Sequence, residues 1–385
     1  MRPALDNRDI VELTELRRDL HRAPEISGEE KKTAARIVAE LERLAPDRVL
    51  TGLGGYGVAA VYDSGLPGPT VLFRCELDAL PIQETGTPAH KSEVYGKGHL
   101  CGHDGHMSVL VGLGRWVSRN RPRKGRLVLM FQPAEEDGSG AAAVIADPKF
   151  DELAPDYAFA IHNFPGLPLG AGIVETGVAN CASRGMRIRL NGRTAHASQP
   201  ETGVSPAPAL AELIPMLAGM GAGGNVSDPH FRLVTITHAS MGAPAFGIAP
   251  GDCELWVTLR TQRDEAMDDL VRQAASAVQA SASRFGLSAD ISYHDIFAHC
   301  ENDAEAVQIL KIAAKDAGIQ EAQLELPMRA SEDFGRFGHG AKAAMLFLGA
   351  GEDCPALHNP DYDFPDDLIA IGVNLFSNVA TRLTG

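Results

Sequence analysis

The stretch "RLVLMFQPAEE", residues 126–136, decides the fold class of this chain. Its apolar run shows no alternation of polar and apolar residues, which predicts a short strand buried on both faces. Comparable runs recur as "TVLFR" (70–74), "YAFAI" (157–161) and "AAMLFLG" (343–349). Amphipathic patterns predict helices at about 106–119, 137–147, 303–317 and 366–383. Buried strands that alternate with helices predict an α/β domain built in layers.

A different pattern fills residues 180–297. In "GMRIRLNG", Met186, Ile188 and Leu190 alternate with polar residues, as in a strand with one wet face. Further strand and helix patterns complete the order β-α-β-β-α-β, the split βαβ or ferredoxin-like arrangement. We therefore predict an α+β domain inserted into the α/β domain. The predicted domain ranges are 1–179 together with 298–385, and 180–297.

The N-terminal part begins with strong helix signals. In "ISGEEKKTAARIVAELERL", Ser27 is followed three residues later by Glu30, the spacing of a capping box. Ala34, Ile37 and Leu41 then form an apolar stripe with helical spacing. These signals predict an amphipathic helix that is capped by Ser27 and Glu30.

Chemically reactive side chains follow several of the predicted strands. The segment "CGHDGH", residues 101–106, contains a thiol, two imidazoles and a carboxylate. Glu135 and Glu136 follow one strand, His162 follows another, and His358 follows the last by a loop. In open α/β sheets, ligands bind outside the carboxyl ends of the strands. We therefore expect these distant residues to converge on one site.

The chemistry of these side chains favours a metal site. Cys101 and His103 are two residues apart, so on an extended loop both reach one centre, and their ligand atoms suit zinc, manganese or nickel. Glu135 and Glu136 would repel each other at a buried strand end unless a cation neutralises them. One carboxylate would then bind metal while the other takes a proton from water. An exposed acidic pair explains the dipeptide equally well.

Three other readings compete with a metal site. "GLGGYG", residues 52–57, matches the dinucleotide-binding pattern, but a short strand follows it where the motif requires a helix. We therefore interpret it as a turn between strands. No G-x-S-x-G nucleophile motif occurs in the sequence. Cys101 as a nucleophile beside a histidine would leave four residues without roles: Glu135, Glu136, His162 and His358.

Composition excludes several partners. The net charge of −15 argues against nucleic acid and anionic membranes, because both bind basic surfaces. The N-terminal sequence has no unbroken apolar region typical of a signal peptide, and no apolar run is long enough to span a membrane. The six cysteines are scattered, which predicts free thiols in a reducing compartment. We expect a cytoplasmic protein.

Taken in order, the motifs resemble the M20 metallopeptidase family. They are "LHRAPEISGEE", "ELDALP", "CGHDGHM", "FQPAEE", "AIHNFPGLPLG", "GRTAHAS", "SEDFGRF" and "ALHNP". The similarity is greatest to the amidohydrolase branch, which includes hippurate hydrolases, N-acyl-amino-acid deacylases and auxin-conjugate hydrolases. The resemblance implies a two-metal catalytic domain with an inserted lid or dimerisation domain, and a homodimer or homotetramer.

The resemblance also assigns roles to individual residues. The positions that match the family's metal ligands are Cys101, His103, Glu136, His162 and His358. They imply two divalent metal ions per subunit, either Zn, Mn, Ni or Co. Glu135 matches the general base, and Asp78 matches a carboxylate close to the metal site. His196, in "GRTAHAS", matches a histidine that polarises the scissile carbonyl, often across the dimer; capping a turn is its alternative role.

The expected activity is hydrolysis of the amide bond in N-acyl amino acids or similar small conjugates. Arg260 suits a substrate carboxylate, although a surface arginine explains it equally well. Glu332, in "SEDFGRF", is a second expected substrate contact. Gly247 stands where the family carries an asparagine in the substrate site, so the resemblance does not define the substrate preference. The alternatives are a non-catalytic binding protein and an NAD-dependent small-molecule-binding protein.

Overall fold

The structure is a computed structural model and describes residues 4–221 and 223–385. Within them the chain divides into two compact units. The first unit contains the chain up to Ala179, Glu301–Glu325 and Asp333–Gly385, and the second contains Asn180–Cys300 and Leu326–Glu332. The inserted domain that the sequence predicts starts at the same point and ends three residues earlier. The predicted ranges also assign residues 326–332 to the other domain.

The described residues form eight α-helices, fifteen strands and three short 3₁₀ helices. The α-helices are α1 (Asn7–Arg22), α2 (Lys31–Glu42), α3 (His103–Arg119), α4 (Gly140–Ala146), α5 (Ala207–Ala218), α6 (Asp264–Arg284), α7 (Ala304–Ala317) and α8 (Asp367–Thr384). The first seven strands are β1 (Arg48–Leu53), β2 (Gly57–Asp63), β3 (Thr70–Glu76), β4 (Arg126–Gln132), β5 (Tyr157–Pro165), β6 (Gly172–Ile173) and β7 (Gly177–Asn180). The other eight are β8 (Ala182–Asn191), β9 (Ala195–His196), β10 (Arg232–Met241), β11 (Ile248–Ala249), β12 (Asp252–Thr261), β13 (Ser288–Phe297), β14 (Cys300–Asn302) and β15 (Lys342–Gly351). The 3₁₀ helices are Pro148–Glu152, Pro200–Thr202 and Asp333–His339.

The first unit is built on a seven-stranded sheet in the order β1-β2-β4-β3-β5-β15-β6. Its four central strands, β4, β3, β5 and β15, run parallel to one another. Strand β3 is buried along its whole length, as expected for a strand covered on both faces. The layered α/β prediction is therefore confirmed. Because the carboxyl ends of parallel strands lie at one edge, side chains that follow them come together there.

Helices bury the apolar faces of this sheet. Helix α3 packs against α8, α1 and β3, and α7 packs against α8 and β15. The rings of Phe73 on β3 and Phe376 on α8 lie 4.9 Å apart between centroids, within the core. Helix α1 begins with a capping box, in which the Asp6 carboxylate accepts from the Asp9 backbone amide and the Asp9 carboxylate accepts from Asp6. Among the described residues, no helix combines the length and hydrophobicity needed to cross a membrane.

The predicted capping box of Ser27 and Glu30 is wrong. Helix α2 begins at Lys31 and has no side-chain cap from Glu30. The Glu25 carboxylate accepts instead from two backbone amides of the first turn. The Ser27 hydroxyl donates to Asp78 (2.7 Å), and the Glu30 carboxylate accepts from the Ala134 amide (2.8 Å). Ser27 and Glu30, which the sequence pattern assigned to the helix cap, therefore form hydrogen bonds to residues that follow the strands.

The glycines at 52–57 join two antiparallel strands. β1 and β2 pair directly, with Leu53 opposite Gly57. No helix begins at this turn in the structure, and Gly52, Gly54 and Gly55 have the positive φ angles that tight turns require. The segment has no helix N-terminus to hold a pyrophosphate, so the dinucleotide-binding alternative is wrong.

The second unit has an antiparallel four-stranded sheet in the order β10-β12-β8-β13. Helices α5 and α6 pack on one face, where Met186, Ile188 and Leu190 of β8 are buried with Leu213 and Leu270. The other face carries polar side chains of β8, which gives the predicted single wet face. β9 and β11 form a separate two-stranded ribbon. The chain order β-α-β-β-α-β confirms the predicted split βαβ layout.

Candidate metal centre

A sharp turn after β4 presents Glu135 and Glu136. Ala134 has a φ of 51°, a left-handed conformation that is uncommon for a residue with a side chain. The Glu30 carboxylate stabilises the turn by accepting from the Ala134 amide, and the Gly138 amide donates to the Glu135 carbonyl (2.8 Å). Glu135 is buried, so these two adjacent acids do not form the exposed pair that was the alternative.

The start of α3 brings two further residues to the same edge of the sheet. Cys101 and His103 lie on either side of the residue that caps α3, and both are buried. The Cys101 sulfur lies 3.6 Å from His162 Nε2. Strand β5 continues to Pro165, so His162 lies within the strand and not beyond its end as the sequence indicated. The ligand atoms of Cys101, His103 and His162 all lie within 4.8 Å of one another.

His103 also lies close to the acidic pair. Its Nε2 atom is 3.9 Å from Glu135 Oε2 and 3.8 Å from Glu136 Oε1. On the far side of Glu136, Oε2 is 3.5 Å from Nε2 of the exposed His358. His358 has a φ of 65°, a costly conformation of the kind that clusters at functional sites. One continuous group therefore contains all five residues predicted as ligands and the predicted base.

Asp78 holds several of these groups in place. Its Oδ2 atom accepts from the Glu136 amide (2.9 Å) and from the Ser27 hydroxyl (2.7 Å). His103 Nδ1 donates to the Asp78 carbonyl (2.9 Å), which fixes the ring orientation and turns Nε2 towards the acidic pair. Burial alone would raise the pKa of the Asp78 carboxyl group, but the nearby His103 imidazole and the hydrogen bond from the Glu136 amide lower it below its usual value. Asp78 therefore stays ionised and orients both neighbours.

The group is suited to divalent metal ions. His103 Nε2 is buried and has no hydrogen-bond partner among the described residues. A buried ring nitrogen without a hydrogen-bond partner, beside a thiol and two carboxylates, costs free energy unless a cation binds between them; the carboxylates raise the pKa of His103, so a proton or a metal ion serves. Although the His358 side chain is exposed at its edge, the surrounding protein partly desolvates the ring, and with the nearby His103 this lowers the pKa of His358 and favours the neutral ring that a metal requires. Thiolate, imidazole and carboxylate together form a donor set that transition metals prefer.

Three other predicted site residues belong to the second unit. His196 lies on β9 opposite Ile248 and is exposed. Its Nδ1 accepts from the backbone amide and hydroxyl of Ser198 (3.2 and 2.7 Å), so the ring proton is on Nε2. Arg260 is half-buried and donates to the Arg329 carbonyl and the Ser331 hydroxyl. Glu332 is buried.

Sequence reasoning missed two buried polar networks beside the metal-ligand group. One joins Arg74, Glu76, Gln132 and Asp333, and the other joins Arg17, His21, Glu84, Asp104 and Asp363. Asp104 and His106 lie inside "CGHDGH", and their residue types do not separate them from the metal ligands. The one available signal was helical spacing, because His106 lies one turn after His103 and therefore inside α3.

The second network predicts a pH-dependent stability. His21 is buried, and its Nδ1 donates to Asp104 (2.8 Å). Burial would lower its pKa, but the Asp104 and Glu84 carboxylates outweigh burial and raise the pKa from 6.5 to about 9. The folded state therefore favours the protonated ring. This stabilisation is complete below the unfolded pKa of 6.5 and disappears as the pH rises through about 9.

We expect His21→Gln to lose its destabilising effect as the pH rises. A shift of this size corresponds to about 3 kcal/mol of pH-dependent stability. The difference in unfolding free energy between wild type and variant, measured with urea, should shrink by about that amount from about pH 6 to about pH 10. A difference that stays constant over this range would show that the His21 proton does not contribute.

Known proteins share both the fold and the sequence pattern. Hippurate hydrolase of Campylobacter jejuni is 30% identical over 96% of this chain and 96% of that protein. N-acetyl-L-cysteine deacetylase of Bacillus subtilis is 29% identical over 97% of this chain and 88% of that protein. A dinuclear metal-binding peptidase of family M20 from Bacillus subtilis superimposes with a TM-score of 0.81 at 24% identity, covering 99% of both chains. The last similarity establishes the fold.

A family-level comparison covers most of the sequence. Residues 72–382 match the model of peptidase family M20/M25/M40. The matched range contains the acidic pair after β4, the start of α3 and the loop that carries His358. Because the match extends over well more than half of the chain, the protein belongs to peptidase family M20/M25/M40.

Proposed function

We propose that this chain is a metal-dependent amidohydrolase that removes the acyl group from N-acyl amino acids or similar small conjugates. Family membership makes it a hydrolase of amide bonds. The observation that carries the proposal is the convergence of one thiol, three imidazoles and two carboxylates in overlapping groups that share Cys101, His103 and Glu136. Relatives named hippurate hydrolase and N-acetyl-L-cysteine deacetylase support the substrate class.

Two divalent ions per subunit fit the proximities within the group. The proposed ligands are Cys101, His103, Glu136, His162 and His358. The clusters Cys101–His103–His162 and Cys101–Glu136–His358 overlap at the thiol, so these five residues together would hold the ions. Bound there, divalent ions supply Lewis acidity, which polarises a carbonyl and lowers the pKa of water towards neutrality. Zinc, manganese, nickel and cobalt all accept such ligands.

Glu135 is the proposed general base. It is buried at the centre of the group, with Oε2 3.9 Å from His103 Nε2. Its carboxylate takes a proton from the attacking water and passes it to the leaving amine. Glu136 is held by Asp78 through its backbone amide, so adjacent acids divide the work of base and ligand. His196 carries its proton on Nε2, the form required to donate to a developing oxyanion.

Arg260 and Glu332 are the proposed substrate contacts of the second unit. Arg260 makes its side-chain hydrogen bonds to a carbonyl and a hydroxyl, Arg329 and Ser331. A half-buried guanidinium whose hydrogen-bond partners are neutral retains its positive charge for an anionic ligand. We propose that the α-carboxylate of an N-acyl amino acid is this ligand. A substrate in which that carboxylate is an amide should then have a higher KM.

The remaining proposals concern assembly and location. A homodimer or homotetramer is proposed from the family resemblance, and sedimentation of the purified protein measures it. None of the six cysteines forms a disulfide in the structure, which suits a reducing compartment such as the cytoplasm. Elemental analysis of protein purified without added metal identifies the ion it carries.

We expect removal of metal to abolish amide hydrolysis reversibly. Dialysis against a chelator should reduce turnover to background, and one of the four candidate ions should restore it, because Lewis acidity is part of the catalytic machinery. The assay uses acetyl, benzoyl and long-chain acyl amino acids, each paired with its carboxamide. The pair tests whether the substrate carboxylate contributes to binding.

The outcomes separate the proposal from its alternative. Hydrolysis that disappears with chelator and returns with metal supports an amidohydrolase. Metal binding without hydrolysis of any substrate in the panel would instead favour a non-catalytic binding protein. Equal KM values for each acid and its carboxamide would remove the proposed role of Arg260 without affecting the hydrolase assignment.

A further inference from the structure

The start of α3 approaches strand β5 unusually closely at Asn163. Gly102, which caps α3, has a φ of 94°. A Cβ atom added there would lie 2.3 Å from the Asn163 side-chain oxygen. Real Cβ atoms do not approach oxygen this closely, so only glycine allows the Asn163 amide to occupy its position. Asn163 is buried and is adjacent to His162.

His106 and Tyr362 hold the Asn163 amide from two other directions. His106 Nε2 accepts from the Asn163 backbone amide (3.4 Å) and lies 2.5 Å from the side-chain amide group of the same residue. Asn163 Nδ2 donates to the Tyr362 hydroxyl (2.6 Å). The His106 ring also packs edge-on against the His162 ring, with centroids 4.9 Å apart. His106, Asn163 and Tyr362 are all buried.

The opposite side of His106 is anchored to the sheet. Its Nδ1 donates to Glu76 Oε2 (2.7 Å), and Glu76 is paired with the buried Arg74. Both residues lie on β3, in the middle of the parallel strands. The ring therefore has a fixed position and a fixed orientation, because each of its nitrogens is held by a different strand.

We propose that His106 and Asn163 form a clamp that positions the metal ligands, and that neither residue binds metal itself. The clamp connects α3, which begins at His103 two residues after Cys101, to β5, which carries His162. It thereby sets the approach of the Cys101 sulfur to His162 Nε2, which is 3.6 Å. This inference rests on the ligands assigned in the proposed function.

The proposal accounts for the arrangement of "CGHDGH". Cys101 and His103 group with His162, whereas His106, which also lies within 4.8 Å of His103 and Glu76, has its two ring nitrogens engaged by Glu76 and Asn163. Metal affinity requires ligand atoms held at suitable separations before the ion binds. Removing a residue that orients the ligands typically costs about 10–100-fold in metal affinity.

Two substitutions of the same residue test the clamp. His106→Asn keeps a polar atom near the Nδ1 position, towards Glu76, but cannot reach Asn163. His106→Gln places its amide near the Nε2 position and keeps the contact with Asn163. The readouts are Co²⁺ affinity, measured by competition with a chelator, and the thiolate-to-Co²⁺ charge-transfer absorption. Both report on Cys101 and His162 without requiring turnover.

We expect His106→Asn and Asn163→Ala to lower Co²⁺ affinity by about 10–100-fold and to shift the thiolate absorption. His106→Gln should retain most of the affinity. Tyr362→Phe removes one hydrogen bond from Asn163 while filling the same space, so it provides a milder test should His106→Asn not fold. Circular dichroism and urea midpoints identify variants that are folded.

The possible failures are distinguishable. If the folded variants, including Tyr362→Phe, bind Co²⁺ with wild-type affinity and spectrum, the clamp is wrong and the proposed function stands. If His106→Gln loses as much affinity as His106→Asn, the contact with Asn163 is not what positions the ligands, and the clamp is again wrong. If wild type shows no affinity for Co²⁺ and no thiolate absorption, both the clamp and the proposed metal centre are overturned.

Discussion

Replacing Glu135 by Gln lowers the turnover of an N-acyl amino acid by about 10²–10⁴-fold, the usual contribution of a general base. Glutamine has the same shape as glutamate but cannot accept a proton from water at neutral pH. Since Glu135 is not among the proposed metal ligands, the variant should bind divalent ions as wild type does. Steady-state kinetics and metal titration of the same preparation measure both effects.

Glu136→Gln is the matched control for this prediction. It makes the same change, from a carboxylate to an amide, at the neighbouring residue. Glu136, however, is a proposed metal ligand that lies close to both His103 and His358. We expect this variant to lose metal affinity, with turnover recovering as the metal concentration is raised. Near-normal turnover of Glu135→Gln would show that Glu135 is not the general base. If the turnover of Glu135→Gln instead recovers at a high metal concentration, Glu135 is a metal ligand.

Much of the candidate site was predictable because residues that follow parallel strands lie together at one edge of the sheet. Unbroken apolar runs identified the parallel strands, and reactive residues near strand ends then had to meet at one edge of the sheet. Glu135, Glu136 and His358 follow that rule. His162 departs from it slightly, because β5 continues for three further residues and pairs with β15 as it does so.

The networks that hold the site could not be predicted in the same way. Arg74 lies inside an apolar run and is paired with Asp333, which is 259 residues away. The sequence around Arg74 contains no information on a partner so far along the chain. A charged residue in a strand that is otherwise apolar only departs from the expected pattern of burial. The same limit explains the failed capping box, because Ser27 and Glu30 contact residues that are 51 and 104 positions distant.

These networks give the candidate site its rigidity. Arg74 is hydrogen-bonded to Gln132, Glu76 and Asp333, and Glu76 in turn holds His106. A chain of buried contacts therefore extends from the middle of the sheet to the clamp beside His162. Such fully satisfied networks specify one arrangement of side chains, because each alternative leaves a buried charge unpaired.

We expect Arg74→Met to lower the free energy of unfolding by about 3–5 kcal/mol, the typical cost of removing one partner of a buried ion pair. Methionine fills part of the space but leaves Glu76 and Asp333 without their shared cation, and all three side chains are fully buried. Urea unfolding followed by circular dichroism measures the loss. Released from Arg74, Glu76 also holds His106 less rigidly, so Co²⁺ affinity should fall with stability.

Neutralising the two acids distinguishes an unpaired charge from a loss of packing. In the triple variant Arg74→Met, Glu76→Gln, Asp333→Asn, no buried charge remains without a partner in this network. Stability should recover a large part of the loss, since replacing a whole buried ionic group is often close to neutral. Asparagine can still accept from the Ala141 amide, as Asp333 does at 2.8 Å. If the triple variant is as unstable as Arg74→Met, the arginine stabilises the sheet mainly by the space it fills. The charges of Glu76 and Asp333 then contribute little to stability.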